Sequence, residues 1–208
     1  MKIKWIFFDV GSTLVDESEA YDRRAREMIK TTGITFEEFD SKRRELAALG
    51  YDGNSSAIKF FNLKRTPWPV EYETLYSDVH CVLKKFKSKG YNLGIIANQI
   101  SGLNERLKRW NIFHYFDIIV SSSEVGVLKP DARIFEYAIS KSGCTSAECL
   151  MVGDRLDNDI IPAIKIGMKT VWVKNGLSLL QNDALANNFA NYIVYSMAEL
   201  YDKIIQEE

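Results

Sequence analysis

The chain has 208 residues, enough for one domain of ordinary size or a core carrying a modest insertion. It is 46% hydrophobic and 26% charged, which suits a packed globular core and excludes a disordered chain. A formal net charge of −1 gives no bulk attraction to nucleic acid or an anionic membrane, and no apolar run nears the ~20 residues that span a bilayer.

The chain enters its first apolar run almost at once, with Trp5, Ile6, Phe7 and Phe8, and Asp9 follows. A short, aromatic, β-branched run of this kind reads as a buried strand. Gly11 then permits a close backbone approach, and Ser12 and Thr13 add hydroxyls. From 16 to 76 no strand-like run is expected. Apolar residues recur at helical spacing over 19–30, 36–49 and 54–63, giving three or four amphipathic helices. Gly50, Gly53, Pro67 and Pro69 punctuate them.

Regular alternation starts at 77. Helices are expected over 77–89, 103–110, 131–142, 159–166 and 197–205. Strands are expected over 93–97, 116–120, 149–152, 170–173 and 192–194. Gly90 and Gly167 serve as helix stops, and Pro130 suits a helix start. Strands alternating with helices at this spacing imply right-handed crossovers and a parallel sheet. The expected fold is therefore α/β: a three-layer, Rossmann-like parallel sheet formed by 1–15 and 77–208, with 16–76 inserted as a helical cap.

Cys81, Cys144 and Cys149 are odd in number and lack metal-ligand spacing, and only His80 and His114 could assist them. They read as reduced thiols in a cytoplasmic protein.

The strand ends carry the chemistry. Asp9 follows the first, Asn98 and Gln99 the second, Ser121 to Ser123 the third, and Gly153-Asp154 the fourth, with Asp157, Asn158 and Asp159 close behind. Lys129 lies in the loop after the third. In a parallel sheet these tips meet at one edge, where ligands bind. Clustered carboxylates suit a hard divalent cation, most simply Mg²⁺, and the lysine suits a phosphate-like group.

Taken together the motifs resemble the haloacid dehalogenase-like (HAD) superfamily. The stretch Asp9-Val10-Gly11-Ser12-Thr13-Leu14 stands where the family usually has Asp-x-Asp-x-Thr-Leu. Ile95-Ile96-Ala97-Asn98 stands where it usually has Ser or Thr before Asn. Lys129-Pro130-Asp131 supplies the lysine, and Gly153-Asp154-Arg155-Leu156-Asp157-Asn158-Asp159 matches the last motif in full. The resemblance implies an Mg²⁺-dependent phosphatase acting on a small phosphorylated metabolite. Asp9 would attack phosphorus and carry an aspartyl-phosphate, with Lys129 neutralising charge. Asp9, the Gly11 carbonyl, Asp154 and Asp159 would serve the metal. Asn98, Gln99, Ser12, Thr13 and Lys129 would bind the phosphoryl group.

The resemblance also marks two departures. Gly11 replaces the aspartate that shuttles the proton, and Ala97 replaces a phosphate-binding hydroxyl. Low activity is therefore one expectation. A weak or inactive member that binds a phosphorylated ligand or a protein partner is the alternative, and a haloacid dehalogenase a third. Substrate identity and the choice between monomer and homodimer stay open.

Overall fold

A computed structural model describes residues 2–186 and 189–206. Six parallel strands form the central sheet in the order β5-β4-β1-β6-β7-β8. They are β1 Trp5–Phe8, β4 Asn92–Ala97, β5 Ile118–Ser121, β6 Cys149–Gly153, β7 Lys169–Val173 and β8 Tyr192–Val194. The apolar run at the N-terminus becomes the centre of this sheet. β1 pairs with β4 on one side and β6 on the other, with Phe8 level with both Ile95 and Val152. All four residues of β1 are buried because helices cover both sheet faces. Ile6 and Phe8 pack with α4 (Val79–Ser88), α5 (Leu103–Arg109) and α9 (Met197–Gln206). Trp5 and Phe7 pack with α7 (Ala132–Ser142) and α8 (Ile161–Lys165). Each expected strand is present, its ends within two residues of the expectation.

The helical block consists of α1 Ser18–Ile29, α2 Phe36–Ala48 and α3 Gly53–Phe60. It has a separate apolar core of Ala25, Met28, Ile29, Phe39, Ala57 and Ile58. Thr35 and Glu38 close a capping box at the start of α2, and Asp52 caps α3 through Ser55 N–H.

Two expectations need correction. The stretch 16–76 does contain strand: β2 (Val15–Asp16) pairs antiparallel with β3 (Thr74–Leu75), tying the two ends of the helical block together. Two residues are too few to leave a period-2 pattern. The helix expected over 159–166 is split into a π-helical turn, Leu156–Ile160, and α8. Pro130 stands just ahead of α7, as expected, with Asp131 as the cap accepting from Arg133 N–H. A short α6 (Ser122–Val125) follows β5 directly. No helix among the described residues is long and apolar enough to cross a membrane.

Candidate active site

The even ends of β1, β4 and β6 bring the polar residues after them to one sheet edge. Asp9 N–H bonds to the Val152 carbonyl, which fixes the turn after β1 against β6. Lys129 Nζ lies 2.5 Å from Asp9 Oδ1 and 2.5 Å from Asp159 Oδ1. The lysine side chain is fully buried, while that of Asp9 is 12% exposed. Burial works to lower the Lys129 pKa, yet the charges of Asp159 and Asp9 hold it above its ordinary value. It is a fixed ammonium group.

Asp9, Asp154 and Asp159 each bring a carboxylate oxygen within 4.8 Å of the others. Burial first, then the neighbouring Asp159 and Asp9 charges, push the Asp154 carboxyl well above its usual range. Burial and Asp9 also raise Asp159 to about 6, against the pull of Lys129. One lysine does not balance such a group, so the donor set fits a hard divalent cation. Both Asp159 oxygens are already engaged, Oδ1 by Lys129 and Oδ2 by Arg155 N–H at 3.0 Å. Asp154 has no such engagement among the described residues.

The remaining expected residues divide. Asn98 grips the main chain of Lys129 from both sides, donating from Nδ2 at 2.9 Å and accepting at Oδ1 at 2.8 Å. Its amide positions the lysine loop, a use the sequence did not suggest. Gln99 and Ser12 line the cleft in front of Asp9, but the Gln99 side-chain oxygen Oε1 already accepts from Arg106. Thr13 is wholly buried, and its hydroxyl has no hydrogen-bond partner among the described residues. It is not among the residues that line the cleft. Ala97 is buried and contributes no polar group. Gly11 lines the cleft without a side chain.

That cleft has a volume of about 470 Å³, in the range of small-molecule sites. It is lined by Asp9, Asp154 and Asn158 from the loops after the strands and by Arg24, Arg65 and Trp68 from the stretch 16–76. Arg155 bridges the two sides through a 2.8 Å ion pair with Asp52.

Sequence reasoning missed three buried charged residues beside the cleft. Glu73 accepts from Trp68 Nε1 at 2.7 Å and lies 3.3 Å from Arg106 Nε. Glu17, just before α1, lines the cleft itself. Burial, then the like charges of Asp9 and Glu73, push its carboxyl up to about 8, with Arg106 opposing. None follows a strand of the central sheet, so the strand-end pattern could not reveal them.

A family model described as haloacid dehalogenase-like hydrolase matches residues 6–173. A glyceraldehyde 3-phosphate phosphatase of Methanothermobacter thermautotrophicus is 34% identical over 193 residues, covering 88% of this chain and 80% of that protein. A pyrimidine 5′-nucleotidase of Escherichia coli is 29% identical, covering 83% of this chain and 87% of its own. The crystal structure of an HAD phosphatase from Thermococcus onnurineus matches with a TM-score of 0.66 at 24% identity, covering 98% of each chain. This chain belongs to the haloacid dehalogenase-like hydrolase family and is a phosphatase within it.

Proposed function

We propose that the protein is an Mg²⁺-dependent phosphatase of small phosphorylated metabolites, acting through an aspartyl-phosphate on Asp9. The helices of 16–76 act as a cap over a core of 1–15 and 77–208. The observation that carries this reading is the buried Lys129 ammonium joining Asp9 to Asp159 at the base of the cleft.

Asp9 Oδ1 accepts from the buried Lys129 ammonium, which holds the carboxylate in place as a nucleophile. Its oxygen attacks phosphorus, and the bond from phosphorus to the ester oxygen breaks. Lys129 offsets the charge on the phosphoryl oxygens with little reorganisation, because Asn98 and Asp159 already fix its loop and head group. Asp9 and Asp154 would hold the cation, with Asp159 acting through Lys129 and the turn at Arg155. When bound, the cation offsets the charge of the phosphoryl group and of the clustered carboxylates. Arg24 and Arg65 in the cleft lining suit a substrate that carries a further polar or anionic group. The two relatives named above act, by their names, on a triose phosphate and on nucleotides, consistent with that size.

The test is release of inorganic phosphate from a panel of small phosphomonoesters with Mg²⁺. Asp9→Asn is expected to lower turnover by about 10³-fold or more, as for loss of a covalent nucleophile. Turnover equal to wild type in that variant would refute the assignment. Omitting Mg²⁺ and adding a chelator is expected to abolish activity in the wild type.

A further inference from the structure

The space beside Gly11 is filled from elsewhere in the chain. A Cβ placed on Gly11 would lie 2.4 Å from Glu17 Oε2 and 2.6 Å from its Oε1 and Cδ. The Glu17 carboxyl thus stands where a side chain at position 11 would begin. Gly11 does not have a left-handed φ, so occupancy rather than backbone conformation excludes a larger residue. Glu17 is 8% exposed and lines the cleft together with Asp9. No protein hydrogen bond engages its carboxyl among the described residues. Buried carboxyls are seldom left so, and this one has both oxygens free for something in the cleft.

We propose that Glu17 is the general acid and base of the reaction, supplying from the start of α1 the carboxyl that position 11 lacks. The inference rests on the Asp9 mechanism above. In the first step Asp9 forms its bond to phosphorus, the ester bond breaks, and the leaving oxygen takes the proton of the Glu17 carboxyl. The alcohol departs and Glu17 is left ionised. In the second step Glu17 takes a proton from water as the water oxygen attacks phosphorus. The bond to Asp9 breaks, phosphate leaves, and Glu17 is protonated again. The titratable and charged groups around Glu17 are Asp9 after β1, Asp16 of β2, Glu73 and Tyr76 flanking β3, Asp154 after β6, Tyr21 of α1 and Arg106 of α5.

The experiment compares kcat/KM for a poor and a good leaving group, glycerol phosphate and p-nitrophenyl phosphate, in Mg²⁺. An acid is needed only for the poor one. Glu17→Gln is expected to lower kcat/KM for glycerol phosphate by about 10²–10⁴-fold and for the nitrophenyl ester by less than about tenfold. The double variant Gly11→Asp/Glu17→Ala returns a carboxyl to the vacated space. It is expected to bring the ratio of the two kcat/KM values back toward wild type. An unchanged ratio in Glu17→Gln would overturn the proposal. Should Glu17→Gln fail to unfold cooperatively, the double variant decides alone: a wild-type ratio supports the proposal, and a ratio depressed about 10²-fold or more overturns it. Asp9→Asn run alongside separates the two readings. If it retains turnover the mechanism itself fails. If it is inactive while Glu17→Gln keeps its ratio, only the role of Glu17 fails.

Discussion

At the scale of single residues, the site depends on places where a side chain is absent. Gly153 ends β6, and a Cβ there would lie 2.5 Å from the Cβ, Cγ and Oδ2 of Asp159. Asp159 cannot swing aside, because Lys129 and Arg155 N–H hold its two oxygens. Gly153→Ala is therefore an overpacking change inside a fixed charge network. Such changes cost about 1–3 kcal/mol, which for a chain of this size lowers Tm by roughly 2–10 °C. Activity is expected to fall by about tenfold or more, because a displaced Asp159 releases the lysine that must meet the phosphoryl group. Thermal scans and phosphate-release assays on one preparation check both; a variant matching wild type in Tm and kcat would show that the contact does not constrain the site. Gly11 belongs with Gly153. In the sequence it reads as a lost aspartate, whereas in the fold it is the space that Glu17 occupies.

At the scale of elements, what was legible in the sequence and what was not have one physical cause. β1, β4, β6 and β7 are buried on both faces, so each is a near-continuous apolar run, and the polar residue ending it stands out. Asp9, Asn98, Asp154 and, through its loop, Lys129 could be read in this way. Glu17, Glu73 and Arg106 could not. Glu17 lines the cleft and stands, like Glu73, at an end of the two-residue ribbon β2–β3, which is too short to leave a periodic signal, while Arg106 lies within α5 rather than at a strand end. The ion pair between the helical block and the loop after β6 was hidden too, because its partners lie 103 residues apart in the chain. Arg155 Nη1 meets Asp52 Oδ2 at 2.8 Å, with both side chains partly exposed. A pair this open is worth under about 1 kcal/mol to stability. Its position across the cleft makes it matter more for substrate binding. Asp52→Asn keeps an oxygen to cap α3 but removes the charge. The expected outcome is a Tm within about 2 °C of wild type and a KM raised roughly 3–10-fold at low salt. The difference is expected to shrink at high salt, where screening weakens the wild-type pair. Steady-state kinetics at two ionic strengths check this, and equal KM values at low salt would exclude a role for the pair in closing the cleft.

At the scale of the whole molecule, the carboxylate-rich site makes stability depend on pH and cation together. Glu17 is raised from 4.5 to about 8 and Asp159 from 3.8 to about 6, and Asp154 is raised as well. A carboxyl with a raised folded-state pKa holds its proton more tightly in the native than in the unfolded chain. Between the two pKa values the native state then binds more protons, and stability falls as pH rises. Without cation, Tm is expected to decline steadily from about pH 4.5 to pH 8, with the Asp159 contribution complete near 6 and that of Glu17 near 8. Lys129 does not reverse this trend, since its pKa is raised and it stays charged throughout. A divalent cation favours the ionised carboxylates, so its binding strengthens over the same range. At a hundred times its Kd a ligand adds about 2.7 kcal/mol, or roughly 5–10 °C here. That gain is expected near pH 8 and is expected to fade toward pH 5, where the cation must displace protons. Thermal scans over a grid of pH and Mg²⁺ concentration separate the two effects. Glu17→Gln removes the carboxyl raised to about 8 and is expected to make the cation-free curve shallower above about pH 6 while leaving the Mg²⁺ shift in place. A cation-free Tm that stays level from pH 5 to pH 8, or an Mg²⁺ shift of equal size at both ends, would mean that these carboxyls do not share one buried field.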